Sequence, residues 1–443
     1  MNLKTAFFFV CVLTLSGNAP AQAQSELKNI LLEATGEFRS SGSEISESGR
    51  KLAVAIATRK VLRDAAAYLR NVEEVIAIPL KPGQFDAFLP AILEIKQSTV
   101  RSDKQADGIV YNAGVTVRFD PVLTARRLDK LRKDPNAVSG LMEVARHAGT
   151  LYTRVANATA AKEQDALAVN LGASLWMAQA YAALAKTEES PASARVSSGR
   201  GRQRALPLAE ASVMAQPDLV EAQLLLGDAL AELNQAVAAE AAYRQALSLD
   251  PSAPRVHVKV ADALRRQEKI PDAIAELREA LRLDPNSAEA HCDLGYALGA
   301  QQNTAESIAE YREAIRLDRD LVEAHNYLAI ALARQGKLPD AIAEFREIIR
   351  SDPESVLGYY NLAIALADME KDDESAEALR QAVRINPNHF NAHYNLGELF
   401  RLEGKFDDAV RQFREYLRLA PINPQSQRNI QRAEEFVRTH ENI

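Results

Sequence analysis

A mostly α-helical chain, built as a repeat solenoid behind a small α+β domain, is what this sequence predicts. Three observations carry that prediction. Proline recurs on a 34-residue lattice at Pro217, Pro251, Pro285, Pro353, Pro387 and Pro421, with Arg319 at the one vacant node. Between nodes, apolar residues return at helical spacing in two blocks separated by a polar turn such as RQGKLPD or RLEGKFDD. The composition, 47% hydrophobic and 26% charged with only 6% aromatic, suits stacked helices better than β-sandwiches.

Residues 1–23 come first and read as a signal peptide. MNLKTAFFFVCVLTLSGNAPAQA has one lysine, Lys4, then an apolar run from Ala6 to Leu15, then small and polar residues ending in an A-x-A site at Ala23. The run is too short for a permanent transmembrane helix, and no later segment reads as apolar enough to cross a membrane. Cys11 lacks the small residues that would precede a lipidated cysteine. An exported, periplasmic or secreted protein is expected. Cleavage would leave Cys292 as the only thiol and exclude an intramolecular disulfide. Loss of Lys4 takes the formal net charge from −7 to about −8, which disfavours nucleic acid as a partner.

Residues 24–120 read as a small α+β domain. A strand at ATGEF, a helix at RKLAVAIATRKVLRDAAAYLRNV, a β-rich run at EEVIAIPL, a short helix at FDAFLPAILE and a closing strand at GIVYNAGVTVRFD follow in order. The layout resembles envelope domains of the LPP20 lipoprotein and flagellar-assembly type, over about a fifth of the chain. Such lipoproteins carry a lipidated cysteine that this segment lacks. Residues 121–170 form a helical linker, the helical pattern running on to Leu184.

Residues 218–421 contain six repeat units, each a helical hairpin. Proline ends the second helix, and a polar starter such as Asn286-Ser287 or Asn388 begins the next unit. Small residues hold fixed offsets in the first helix (Gly227, Ala261, Gly295, Ala329, Ala363, Gly397) and in the second (Ala239, Ala273, Ser307, Ala341, Ser375, Ala409), where two helices must cross closely. Tyr243, Leu277, Tyr311, Phe345, Leu379 and Phe413 then fill the space between hairpins, which must stack to bury this face.

Period, small positions, bulky positions and terminal proline together resemble the tetratricopeptide repeat family. On that resemblance, residues 171–217 form a degenerate seventh unit. Trp176 falls on the family's aromatic position if PASARVSSGRGRQ is counted as an inserted loop. The loop from Pro191 to Arg204, with Arg195, Arg200, Arg202 and Arg204, reads as flexible and basic. Residues 422–443 form a capping helix over the last hairpin.

Candidate chemistry is sparse. The first 146 residues contain no histidine, and no P-loop, G-x-G-x-x-G, G-x-S-x-G or H-E-x-x-H occurs anywhere. His257, His291, His325 and His393 recur at one repeat position, with Tyr359 in the fifth place. Equivalent atoms of stacked hairpins stand roughly 10 Å apart, too far to share an ion bound at about 2 Å. These histidines are therefore expected to pack where the family places tryptophan. In AHCDLGYAL, His291, Cys292 and Asp293 point about 100° apart along a helix and form no triad. Cys292 is left either as a reactive free thiol or as a packing residue.

The resemblance implies a concave groove lined by the first helices, which takes up a protein or peptide. Projected here, one row holds Asp228, Asp262, Tyr296, Ile330, Ile364 and Glu398. A second holds Leu224, Val258, Cys292, Asn326, Tyr360 and Tyr394. Asn361 and Asn395 stand where relatives use an asparagine ladder, whereas Asp293 and Tyr327 take that place in neighbouring units. Leu224 and Asp228 replace residues of the family's carboxylate clamp, so that specificity does not transfer. The expected function is a non-catalytic interaction scaffold of the cell envelope, with no cofactor or metal. A subunit of an envelope assembly or secretion complex, and an enzyme with chemistry in its N-terminal domain, are the alternatives.

Overall fold

The computed structural model describes residues 30–40, 45–105, 108–155, 161–184, 194–421 and 423–440. The residues read as a signal peptide lie outside these. The chain divides into two compact units, Met1–Pro251 and Ser252–Ile443.

The first unit opens with an antiparallel sheet. β3 (Gly108–Phe119) lies between β1 (Ile30–Ser40) and β2 (Glu94–Gln105). Alternation along β1 turns Ala34, Gly36 and Phe38 towards α1 (Glu47–Leu69), whose Leu52, Ala53, Ala57 and Val61 meet them together with Tyr111, Ala113, Val115 and Val117. A Cβ on Gly36 would lie 2.4 Å from the amide nitrogen of Ala57 and 2.5 Å from the carbonyl oxygen of Ala53. Only glycine lets strand and helix backbones approach that closely. Ser46 caps α1 by accepting from the Gly49 amide at 3.0 Å, and its own amide donates to the Tyr111 hydroxyl at 2.7 Å.

The short helix expected at FDAFLPAILE is α3 (Gln84–Ile92). EEVI, read as β-rich, is instead a single helical turn, α2 (Glu73–Ile76). Only Val75 of that run is buried, so nothing there alternates between a core face and a solvent face as a strand requires.

Helices α4 (Pro121–Arg132), α5 (Pro135–Val155), α6 (Ala161–Leu184) and α7 (Ala194–Ala215) follow. The basic segment expected as a loop is helical from Ala194 onward, since its serines and arginines are tolerated in a helix and its two glycines only weaken one. Trp176 is 38% exposed and does not take the interior aromatic place assigned to it. Against expectation, one stretch among the described residues, Glu163–Leu184, is long and apolar enough to cross a membrane. More than half of its most apolar window is buried, and Leu167, Leu171, Met177 and Tyr181 belong to the core of this unit. The hairpin of α8 (Val220–Glu232) and α9 (Ala236–Leu249) completes the unit.

The second unit consists of paired helices: α10 (Pro254–Arg266) with α11 (Ile270–Leu283), α12 (Ala288–Ala300) with α13 (Thr304–Leu317), α14 (Val322–Arg334) with α15 (Leu338–Ser351), α16 (Val356–Ala367) with α17 (Asp372–Ile385), and α18 (Phe390–Leu402) with α19 (Phe406–Leu419). α20 (Pro424–His440) packs on α19 and buries Ala433 and Val437. The small positions carry the crossings. A Cβ on Gly295 would meet the Tyr311 ring at 2.8 Å, and one on Gly397 the Phe413 ring at 2.8 Å. Where the second helix has serine, its hydroxyl reaches the opposing backbone: Ser307 donates to the Gly295 carbonyl at 2.7 Å and Ser375 to the Ala363 carbonyl at 2.8 Å.

Every hairpin turns through one left-handed residue: Glu268, Gln302, Gly336, Glu370 and Gly404, with φ between 57° and 76°. The following amide then closes back on the first helix, as Lys371 does on the Leu366 carbonyl at 3.0 Å. The residue before each node is extended, as proline demands of its predecessor, and Asp318 adopts the same conformation before Arg319. Ser287 and Ser355 cap α12 and α16. Asn388 does not cap α18; the imidazole of His389 does, accepting from the Ala392 amide at 3.1 Å.

Candidate interaction surface

The first helices of successive hairpins in the second unit pack on one another, α10 on α12 and α12 on α14, so their side chains form one continuous face. Tyr296 and Ile364 are open on it, and Ile330 and Tyr360 are half-buried. Tyr327, which the sequence supplied only as a break in an asparagine ladder, completes the aromatic patch: its ring lies 5.1 Å from that of Tyr296 and 5.8 Å from that of Tyr311.

The second projected row sits deeper than the first. Val258, Cys292, Asn326 and Tyr394 are buried, because this row faces the neighbouring first helix rather than open solvent. The asparagines are used between repeats: Asn361 Nδ2 donates to Asn326 Oδ1 at 2.8 Å, and Asn395 Nδ2 to the Tyr360 hydroxyl at 3.3 Å. Each contact spans 35 residues and ties one first helix to the next. Tyr360 also lies against His389, with ring centroids 4.8 Å apart.

Charged residues stand at both ends of the face. Asp262 holds Arg265 in an ion pair and accepts from Arg266 Nε at 2.8 Å, so its carboxyl is kept below the usual range in spite of burial. Asp293, one unit on, has no hydrogen bond or ion pair with any described residue. Burial, reinforced by Glu289 and Asp262, pushes its carboxyl up to about 7. At the far end, Glu398 and Arg401 of α18 and Arg432, Glu435, Phe436, Thr439 and His440 of α20 line a cleft of about 390 Å³.

The repeated histidines occupy interior positions as expected, but they are polar partners as much as packing residues. His257, His291 and His325 each place Nδ1 against a glutamate of the second helix, Glu276 at 2.7 Å, Glu310 at 2.6 Å and Glu344 at 2.6 Å; His393 meets Gln412 at 2.8 Å. The sequence held this signal in a glutamate or glutamine recurring 19 residues after each histidine. Among the described residues no three His, Cys, Asp or Glu side chains are gathered as a metal site would need.

Cys292 is a free cysteine only 4% exposed. Burial, with Asp293, Glu323 and Glu289 nearby, pushes its thiol well above the ordinary range, so the thiolate that reactive cysteines depend on is suppressed.

Two family profiles match the chain: "TPR repeat" over residues 261–302, and "Tetratricopeptide repeat" over residues 192–254, 292–356 and 360–424. No curated protein matches it. Among solved structures, the chain is similar to YrrB, described as a TPR protein with an unusual peptide-binding site, at 23% identity and a TM-score of 0.33 over 42% of this chain and 95% of that one. It is similar to PilF of Pseudomonas aeruginosa at 20% identity and a TM-score of 0.38, over 43% and 89% of the two chains. It is also similar to PilW, described as a type IV pilus biogenesis factor, at 18% identity and a TM-score of 0.44, over 48% and 98%.

Proposed function

The chain belongs to the tetratricopeptide repeat family, and from that premise we propose that it is a non-catalytic scaffold that takes up a protein or peptide segment on the first-helix face of its second unit. One observation carries this reading. Tyr296, Ile330, Tyr360 and Ile364 form an apolar and aromatic strip on helices joined by the Tyr296–Tyr327 ring contact and by the Asn326–Asn361 and Tyr360–Asn395 hydrogen bonds. Preorganised aromatic and aliphatic anchors are the usual carriers of binding energy at interfaces, about 2 kcal/mol or more for each strong one. The layout of residues 1–23 supports placing the scaffold outside the cytoplasm, in the periplasm, where the partner would be an envelope protein or complex.

The test is a photoreactive residue at Tyr360 in the native compartment. A crosslinked partner is expected. A protein carrying both Tyr360→Asp and Ile364→Asp, with its crosslinker at Tyr296, should lose that partner while keeping its helical far-ultraviolet signal. Undiminished capture by the folded double variant would move the binding surface elsewhere.

A further inference from the structure

The strip on the second unit ends, towards α10, at Asp293, a carboxylate held by no hydrogen bond or ion pair among the described residues. Asp293 and Tyr296 are three residues apart on α12 and so share a side of the helix. The Tyr327 ring stands 5.1 Å from that of Tyr296, and the Arg265 guanidinium carbon lies 5.1 Å from the Tyr296 ring centroid. This neighbourhood already accommodates one cation, stacked on a tyrosine and held by Asp262. Asp293 has no equivalent. Arg265 and Lys259 pull its carboxyl down, but Glu289, Asp262 and burial outweigh them and leave the group half-protonated near neutrality. A bound ammonium or guanidinium would relieve both the repulsion and the lost hydration, and the tyrosine faces would add cation–π attraction.

We propose that the occupant of this face is a peptide segment carrying a lysine or arginine side chain, which pairs with Asp293 beside Tyr296 and Tyr327 while apolar side chains of the same segment cover Ile330 and Ile364. The inference rests on the groove reading above and adds the chemistry of the partner. Charge complementarity selects the basic residue, since Arg265 and Arg266 are both bound to Asp262, whereas Asp293 makes no ion pair among the described residues and feels Arg265 and Lys259 only through space.

The experiment is selection of a phage-displayed random dodecapeptide library on the full chain. Enriched peptides are expected to share a lysine or arginine next to apolar positions. Replacing that residue with norleucine in a synthetic copy should weaken binding to the unaltered protein at least tenfold, roughly the 1.4 kcal/mol of a partly buried charge pair. Asp293→Asn should bind the original and the norleucine peptide alike. Peptides that lack a basic residue, or that bind equally well without it, would overturn the inference. The groove reading would survive that result if the Tyr360→Asp, Ile364→Asp protein no longer bound them. No enrichment above background would overturn both.

Discussion

His325 Nδ1 lies 2.6 Å from Glu344 Oε2, and its Nε2 lies 3.1 Å from the Arg319 carbonyl oxygen. Both partners accept hydrogen bonds, so the ring satisfies both only when it carries two protons. The Glu344 hydrogen bond is the main reason its pKa is raised above 6.5, against an opposing contribution from burial; the Arg319 carbonyl and Glu347 add to the rise. A raised folded pKa means that the contribution to stability is complete below about 6.5 and fades as pH climbs through the higher folded value. Urea unfolding of the whole chain should therefore give a lower midpoint at pH 8.5 than at pH 6. Glu344→Gln, which copies the His393–Gln412 pair, should cost about 1 kcal/mol at pH 6 and much less at pH 8.5. An equal cost at both pH values would mean that the protonation of His325 does not change between them.

The hairpin turns supply a second prediction. Glu370 has a φ of 57°, a conformation costing a side-chain-bearing residue about 1 kcal/mol, whereas Gly336 and Gly404 fill the same place without that penalty. Glu370→Gly should relieve the strain at a smaller cost in unfolded-chain entropy. The net gain is expected at up to about 1 kcal/mol, read as a rise in the thermal midpoint. Glu370→Val should lower it.

These two predictions mark where the sequence was legible and where it was not. The 34-residue lattice exposed the hairpins, because proline, glycine and the bulky positions each answer to backbone or packing needs that repeat with the period. Left-handed turn residues were invisible wherever glutamate or glutamine filled them, since nothing in those side chains announces positive φ. Identifying the histidines as packing residues captured their burial but not their glutamates, which lie on the other helix of each hairpin. EEVIAIPL was misread as β-rich because a short apolar run fits a strand and a helical turn alike. Of the projected face, the row of Tyr296 and Ile364 is open, whereas Cys292 lies beneath it, a difference set by how closely adjacent first helices approach.

Gly36 offers a test in the first unit. An alanine methyl there would press on the α1 backbone at Ala53 and Ala57, which cannot yield as a flexible side chain would. Gly36→Ala should destabilise the sheet by about 3 kcal/mol or more. The check is hydrogen exchange of the β3 amides, with protection falling at Val115 and Val117 but unchanged in α14 and α16. Unchanged protection in β3 would mean that α1 shifts freely on the sheet.

Cys292 supplies the last prediction. A thiol reacts as its thiolate, and the same surroundings that hide this one also oppose its ionisation: a buried site, with the carboxylates of Asp293, Glu323 and Glu289 close by. Reaction with a disulfide reagent must then wait for local opening of α12, which Gly295 and Tyr311 clamp to α13. Labelling of the native chain at pH 8 should run about a hundredfold or more slower than in denaturant. Gly295→Ala should speed it by loosening that crossing. Labelling of the native protein at the denatured rate would place Cys292 at the surface and restore thiol chemistry to the face it underlies.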